Sequence, residues 1–219
     1  MENNNFLMNP FEYVGIKHNE GLEYCLKLWN EKTTVEQGMI LAAQFNEKNN
    51  GNCLSNGIDF SYAFINETIN KTEQVSFESR LNEYLEKKLI TQDGIDFIYQ
   101  IYNIREDSLD IPEKIKEIEK RILNSNIPIE MQRMPLIYAT VTYHSAVFGA
   151  EYSNTYSKPW PWKKDGDGAL EGFVTGFVGG LIFGGPTMLL GGLVGGIKGA
   201  IGGGLGKSLW SWIKSFFTD

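Results

Sequence analysis

Cysteine and histidine are scarce in this chain, with two of each. Cys25 and Cys53 cannot build a disulfide framework or a four-ligand zinc site. His18 and Cys25 share one face of a helix, but lie roughly 10 Å apart along its axis, too far for a nucleophile and its base. His144 and Ser145 are helix neighbours that face different ways. The chain has no phosphate loop, nucleophile elbow or cluster of metal ligands. Asp165-Gly166-Asp167-Gly168 begins like a calcium loop but lacks the later ligands and the closing glutamate. No metal, cofactor or enzymatic activity is expected.

Basic residues are also in short supply, 20 against 27 acids, for a net charge of −7. From Gly166 onward three acids balance three lysines, so the whole excess lies in residues 1–165. An acidic body excludes the basic face that nucleic-acid binding needs. The N-terminus has neither a basic region nor an apolar core, so no secretory signal peptide of the usual kind is expected. The abundance of Asn, Lys and Ile suggests a low-GC bacterial genome, so synthesis in a bacterial cytoplasm is expected, followed by membrane association or export by a leaderless route. No stretch alternates apolar and polar residues long enough to demand a sheet.

Helical periodicity fills the first three quarters of the chain. Val14, His18, Leu22 and Cys25 recur on one face after a start at Asn9-Pro10. Thr34 and Gln37 have the spacing of a capping box. Ser76 opens a run through Leu81 and Tyr84, and Gln92 opens one through Ile98 and Ile101. Asp110-Ile111-Pro112 opens Ile115, Ile118 and Ile122, and Pro135 begins a last helix through Tyr152. The fold class is all-α: a helical bundle of six or seven helices over residues 1–157, then a glycine-rich helical hairpin. Residues 158–166 form a Trp/Pro/Lys linker between the two.

The hairpin, residues 167–219, is the informative part. Seventeen of the 24 glycines fall between Gly166 and Gly206. Gly168, Gly172, Gly176, Gly180 and Gly184 keep a spacing of four, as do Gly191, Gly195, Gly199 and Gly203. Residues four apart share a helix face, so each series draws a bare stripe along which another helix can pack. Gly185-Pro186 separates the series and marks a turn. The intervening residues are mostly apolar, and between Gly168 and Gly206 the only charges are Glu171 and Lys198. Asp167 is placed to cap the first limb, with Glu171 in its first turn. Lys198 is the candidate for a polar path if copies associate. Small-residue stripes on apolar helices are typical of packing in lipid. Trp160, Trp162, Lys163 and Lys164 precede the hairpin, and Lys207, Trp210, Trp212 and Lys214 follow it. Tryptophan beside lysine suits the membrane interface, so these eight are expected to be anchors. The competing reading is a hairpin buried in a soluble assembly or folded onto the rest of the chain.

The opening Asn9-Pro10-Phe11-Glu12-Tyr13-Val14-Gly15-Ile16-Lys17-His18-Asn19-Glu20-Gly21-Leu22 resembles the start of uncharacterised helical proteins of Bacteroidetes-type bacteria, which implies no activity. The tail is similar in pattern to the glycine-zipper segments of class II bacteriocins and related contact-dependent toxins. That resemblance implies membrane insertion, self-association through the glycine faces and permeabilisation. The acidic body departs from the bacteriocin pattern and is expected to serve as a solubilising, delivery or targeting domain, with a protein partner or delivery machinery as its counterpart. The alternative is a non-toxic module that docks the body to a membrane or a partner's groove.

Overall fold

The computed structural model describes residues 8–30, 32–49, 58–108, 110–156, 160–183 and 188–215. Nine helices and no strand occur among them: α1 (Glu12–Leu28), α2 (Val35–Asn49), α3 (Ile58–Gln74), α4 (Phe77–Glu86), α5 (Gln92–Tyr102), α6 (Ile111–Leu123), α7 (Arg133–Tyr156), α8 (Trp162–Phe183) and α9 (Met188–Ser215). The protein is all-α.

Local chemistry sets several of the helix starts. Thr34 and Gln37 form a reciprocal capping box ahead of α2: the Thr34 amide donates to the Gln37 side chain at 2.9 Å, and the Gln37 amide donates to Thr34 Oγ1 at 3.2 Å. Ser76 caps α4 by accepting from the Ser79 amide at 3.1 Å. Asp110 precedes α6 but makes no side-chain cap, because its carboxylate pairs with Lys114 at 2.8 Å. Asn9 does not start α1, which begins at Glu12. Its amide side chain instead accepts from the Phe11 backbone and donates to Glu119, tying the chain start to α6.

The amphipathic stripes meet in one continuous core. Val14 and Leu22 of α1, Ile98 and Ile101 of α5, Ile115 and Ile122 of α6, and Leu136, Ile137 and Val141 of α7 are fully buried. Full burial of each such side chain stabilises by about 1.5–3 kcal/mol. The same core includes Leu170 and Phe173 of α8 and Leu205 and Trp212 of α9. α8 packs against α3, α7 and α9, while α9 also packs against α1, α2 and α3. Residues 184–187, which hold Gly184 and the expected turn Gly185-Pro186, lie outside the described residues.

Three sequence expectations need correcting here. α8 begins at Trp162, so Lys163, Lys164, Asp165 and Gly166 belong to a helix and not to a linker. Asp167 is therefore an interior residue of α8 and caps nothing, and Glu171 lies beyond the first turn. Packing explains the early start: a Cβ at Gly166 would collide with Thr142 and Tyr138 of α7. The glycines here allow close approach between helices where the sequence suggests a turn.

Candidate functional site

The α8–α9 pair is held by backbone contact. Gly168 faces Gly203 and Gly172 faces Gly199, and a Cβ on any of the four would run into the partner's carbonyl oxygen. The falling and rising numbers make the helices antiparallel. These four expected packing glycines thus pair with one another inside a single chain. Gly176 is part-buried in α8, Gly180 also lies in α8, and Gly191 and Gly195 lie in α9. A second set, outside the four-residue series, serves the junction with the other helices. Gly206 admits Ile65 of α3, Gly202 admits Asn46 of α2, and Gly204 admits His18 of α1. Sequence reasoning missed these because only the fold reveals which face each glycine presents. The extra glycines flanking Gly203 were the available signal.

Three of the four flanking tryptophans are buried. Trp160 is 7% and Trp212 1% exposed, and their rings sit 5.6 Å apart. Trp29, just after α1, meets Trp212 edge-on at 5.1 Å, and Phe148 of α7 approaches Trp160 at 5.0 Å. Trp162 is buried and Trp210 partly buried. Lys163 is half-buried, lies over the rings of Tyr102 and Trp162, and pairs with Glu106 at 3.9 Å. Lys164 is exposed, Lys198 is part-exposed, and Lys214 lies in α9. Trp160, Trp162, Trp212 and Lys207 therefore fill the protein core in this state, and none of the four stands at a free surface.

The charges at the inner end of the pair are sequestered. Asp167 pairs with Arg80 of α4, which is itself buried. Glu171, 0% exposed, accepts from the Tyr84 hydroxyl, pairs with Lys71 of α3 at 3.0 Å, and lies 3.6 Å from Arg80. Lys207 of α9 is fully buried and pairs with Glu73 of α3. Burial pushes the Asp167 carboxyl up, although Arg80 pulls it back, and burial pushes the Lys207 ammonium down. A buried charge without its partner is costly, so these pairs clasp α8 and α9 to α3 and α4.

A second buried cluster joins α1, α7 and α8. Asp165 accepts from the Ser145 hydroxyl and from Trp160 Nε1 at 3.1 Å, and its Oδ2 lies 3.7 Å from His18 Nε2. Burial raises the Asp165 carboxyl to about 7 and lowers the His18 imidazole to about 4. Beside it, Glu12 contacts His144 Nε2 at 2.8 Å and Lys116 at 2.9 Å, and is drawn down to about 2 by these two partners against the cost of burial. Ser145, His18 and Asp165 have the residue types of a hydrolytic triad but not its geometry. The serine hydroxyl is bonded directly to the carboxylate, and all three residues are fully buried.

A cavity of about 200 Å³ lies beside α8, lined by Phe173, Val174 and Phe177 with Met131, Met134, Leu89, Lys88, Glu130 and Arg133. No group of three or more candidate metal ligands occurs among the described residues, and none of their helices is long and apolar enough to cross a membrane. No protein-family model matches the chain, and neither curated proteins nor solved structures give a match.

Proposed function

We propose that this is a membrane-active protein whose α8–α9 hairpin enters a lipid bilayer by its outer, apolar end while the helical body carries it in water. The observation that supports this is the polarity of the pair. From Gly172 to Ile197 no charged residue occurs. Asp165, Asp167, Glu171 and Lys207 all lie towards the other end, tied to body residues. Within that charge-free part, Val178 is 39% exposed. An apolar hairpin end with every ionisable group drawn back is suited to lipid. Self-association through the remaining glycines would turn insertion into permeabilisation, with Lys198 on the polar path.

The test is dye release from liposomes by the full chain beside Gly176→Leu, at a part-buried position of α8. Release by the native chain, with loss in Gly176→Leu at unchanged helicity, supports the permeabilising reading. No binding to vesicles and no release would sink it.

A second reading is favoured by the buried tryptophans. With Trp160, Trp162 and Trp212 committed to the core, the hairpin is a fixed docking element that holds the body on a membrane or in a partner's groove. Vesicle binding without dye release, and expression harmless to the host, would select this reading.

A further inference from the structure

The cavity beside α8 has a mixed chemistry that the body's charge balance makes conspicuous. Its lining includes the apolar Phe173, Val174 and Phe177 of α8 with Met131, Met134 and Leu89. Two cations stand in its lining, Lys88 after α4 and Arg133 at the start of α7, against one acid, Glu130. Elsewhere in this acidic protein about half of the cations are spent on acids, Lys17, Lys71, Arg80, Lys87, Lys116 and Lys207 among them. Lys88 and Arg133 make none among the described residues.

Lys88 also occupies a position that lysine disfavours. Its φ of 56° is left-handed, in a chain that holds 24 glycines. The local pattern is a Schellman cap of α4: the Leu89 amide donates to the Tyr84 carbonyl at 2.9 Å and the Lys88 amide to the Leu85 carbonyl at 3.0 Å. Glycine suits that site better, because it carries no Cβ penalty. The strained residue is the one that puts an ammonium on the rim of an apolar cavity.

We infer that this cavity is a binding site for an anionic phospholipid, with Lys88 and Arg133 taking the headgroup and Phe173, Val174 and Phe177 the start of an acyl chain. The inference rests on the membrane reading above and names the lipid class. Its location agrees with that reading, since Phe177 adjoins exposed Val178 in the charge-free part of α8. The charge agrees too: a body of net −7 is repelled by an anionic surface unless a local cationic site sets its orientation.

The experiment is flotation of the full chain with phosphatidylcholine vesicles and with vesicles containing phosphatidylglycerol. It compares the native protein with Lys88→Gly, Arg133→Gln and the double variant. Each cation near an anionic surface is worth about 1 kcal/mol, roughly fivefold in binding, so the double variant should lose roughly thirtyfold of its binding to anionic vesicles and little to neutral ones. Lys88→Gly should at the same time raise the melting temperature, so its weaker flotation cannot be attributed to unfolding. Equal binding of the native chain to both vesicle types, or an undiminished anionic preference in the double variant, would overturn the site while leaving the membrane reading standing. Flotation with neither vesicle would remove the membrane reading and the site together.

Discussion

At Gly172 and Gly199 a single methyl group separates this fold from a strained one. Each faces the other's carbonyl oxygen, so a Cβ at either site must push two backbones apart. Gly172→Ala or Gly199→Ala is expected to cost on the order of 1–3 kcal/mol, the usual range for overpacking a rigid site. Thermal unfolding measures this, and an unchanged melting temperature would show that the helices are not in contact there. Asp165 and His18 make the second residue-scale prediction. The Asp165 carboxyl, raised to about 7, contributes stability that is full below its ordinary 3.8 and lost as pH rises through 7. The His18 imidazole, lowered to about 4, contributes stability that is full above its ordinary 6.5 and lost as pH falls through 4. Between roughly pH 4 and 6.5 the two slopes oppose, because the folded pair and the unfolded pair each hold one proton. Asp165→Asn should leave His18 alone, so stability falls on acidification below 6.5. His18→Gln should do the reverse, with stability falling as pH rises from 4 to 7. Denaturant midpoints across that range report both slopes, and two variants with the same slope would contradict the opposite effects of burial on the two groups.

At the scale of the element, the parts legible in the sequence are those set by neighbours in the chain. Thr34 with Gln37 and Ser76 with Ser79 need only three residues of context, and both caps form. Thr34→Ala should cost about 1 kcal/mol, measured as a shift in denaturant midpoint without a change in m-value. The isoleucine stripes of α5 and α6 were equally legible, because a 3.6-residue period marks the buried face directly. The start of α8 was not. Pro161 and Gly166 read locally as part of a linker, yet the contact of Gly166 with Tyr138 comes from a distant residue. The same applies to Asp167 and Glu171. Their partners Arg80, Tyr84 and Lys71 lie far away in sequence, and no local rule links them. Tryptophan beside lysine fits both a membrane interface and a core lined with ion pairs, and only the fold separates the two.

Over the whole molecule, charge and apolar surface are set apart along the α8–α9 pair. Its inner end holds buried acids and Lys207, clasped to α3, α4 and α7, and its outer part carries no charge. The clasp predicts that Arg80→Leu, which strands Asp167 and weakens the hold on Glu171, loosens the base of the pair. Removing one partner of a buried ion pair typically costs about 3–5 kcal/mol. Hydrogen exchange should then accelerate in α8 and α9 ahead of α5 and α6, and uniform protection across all helices would argue against a clasp. The one continuous core also means that α8 and α9 are part of what keeps the body folded.

The most direct measurement places an environment-sensitive fluorophore at Val178→Cys in the full chain, with Cys25 and Cys53 replaced by alanine, and a control label at exposed Glu23→Cys. Adding phosphatidylglycerol-containing vesicles should shift the emission at position 178 to the blue and leave position 23 unchanged. No shift at 178 with the protein bound would mean that the hairpin's apolar end stays out of the lipid, which contradicts the account.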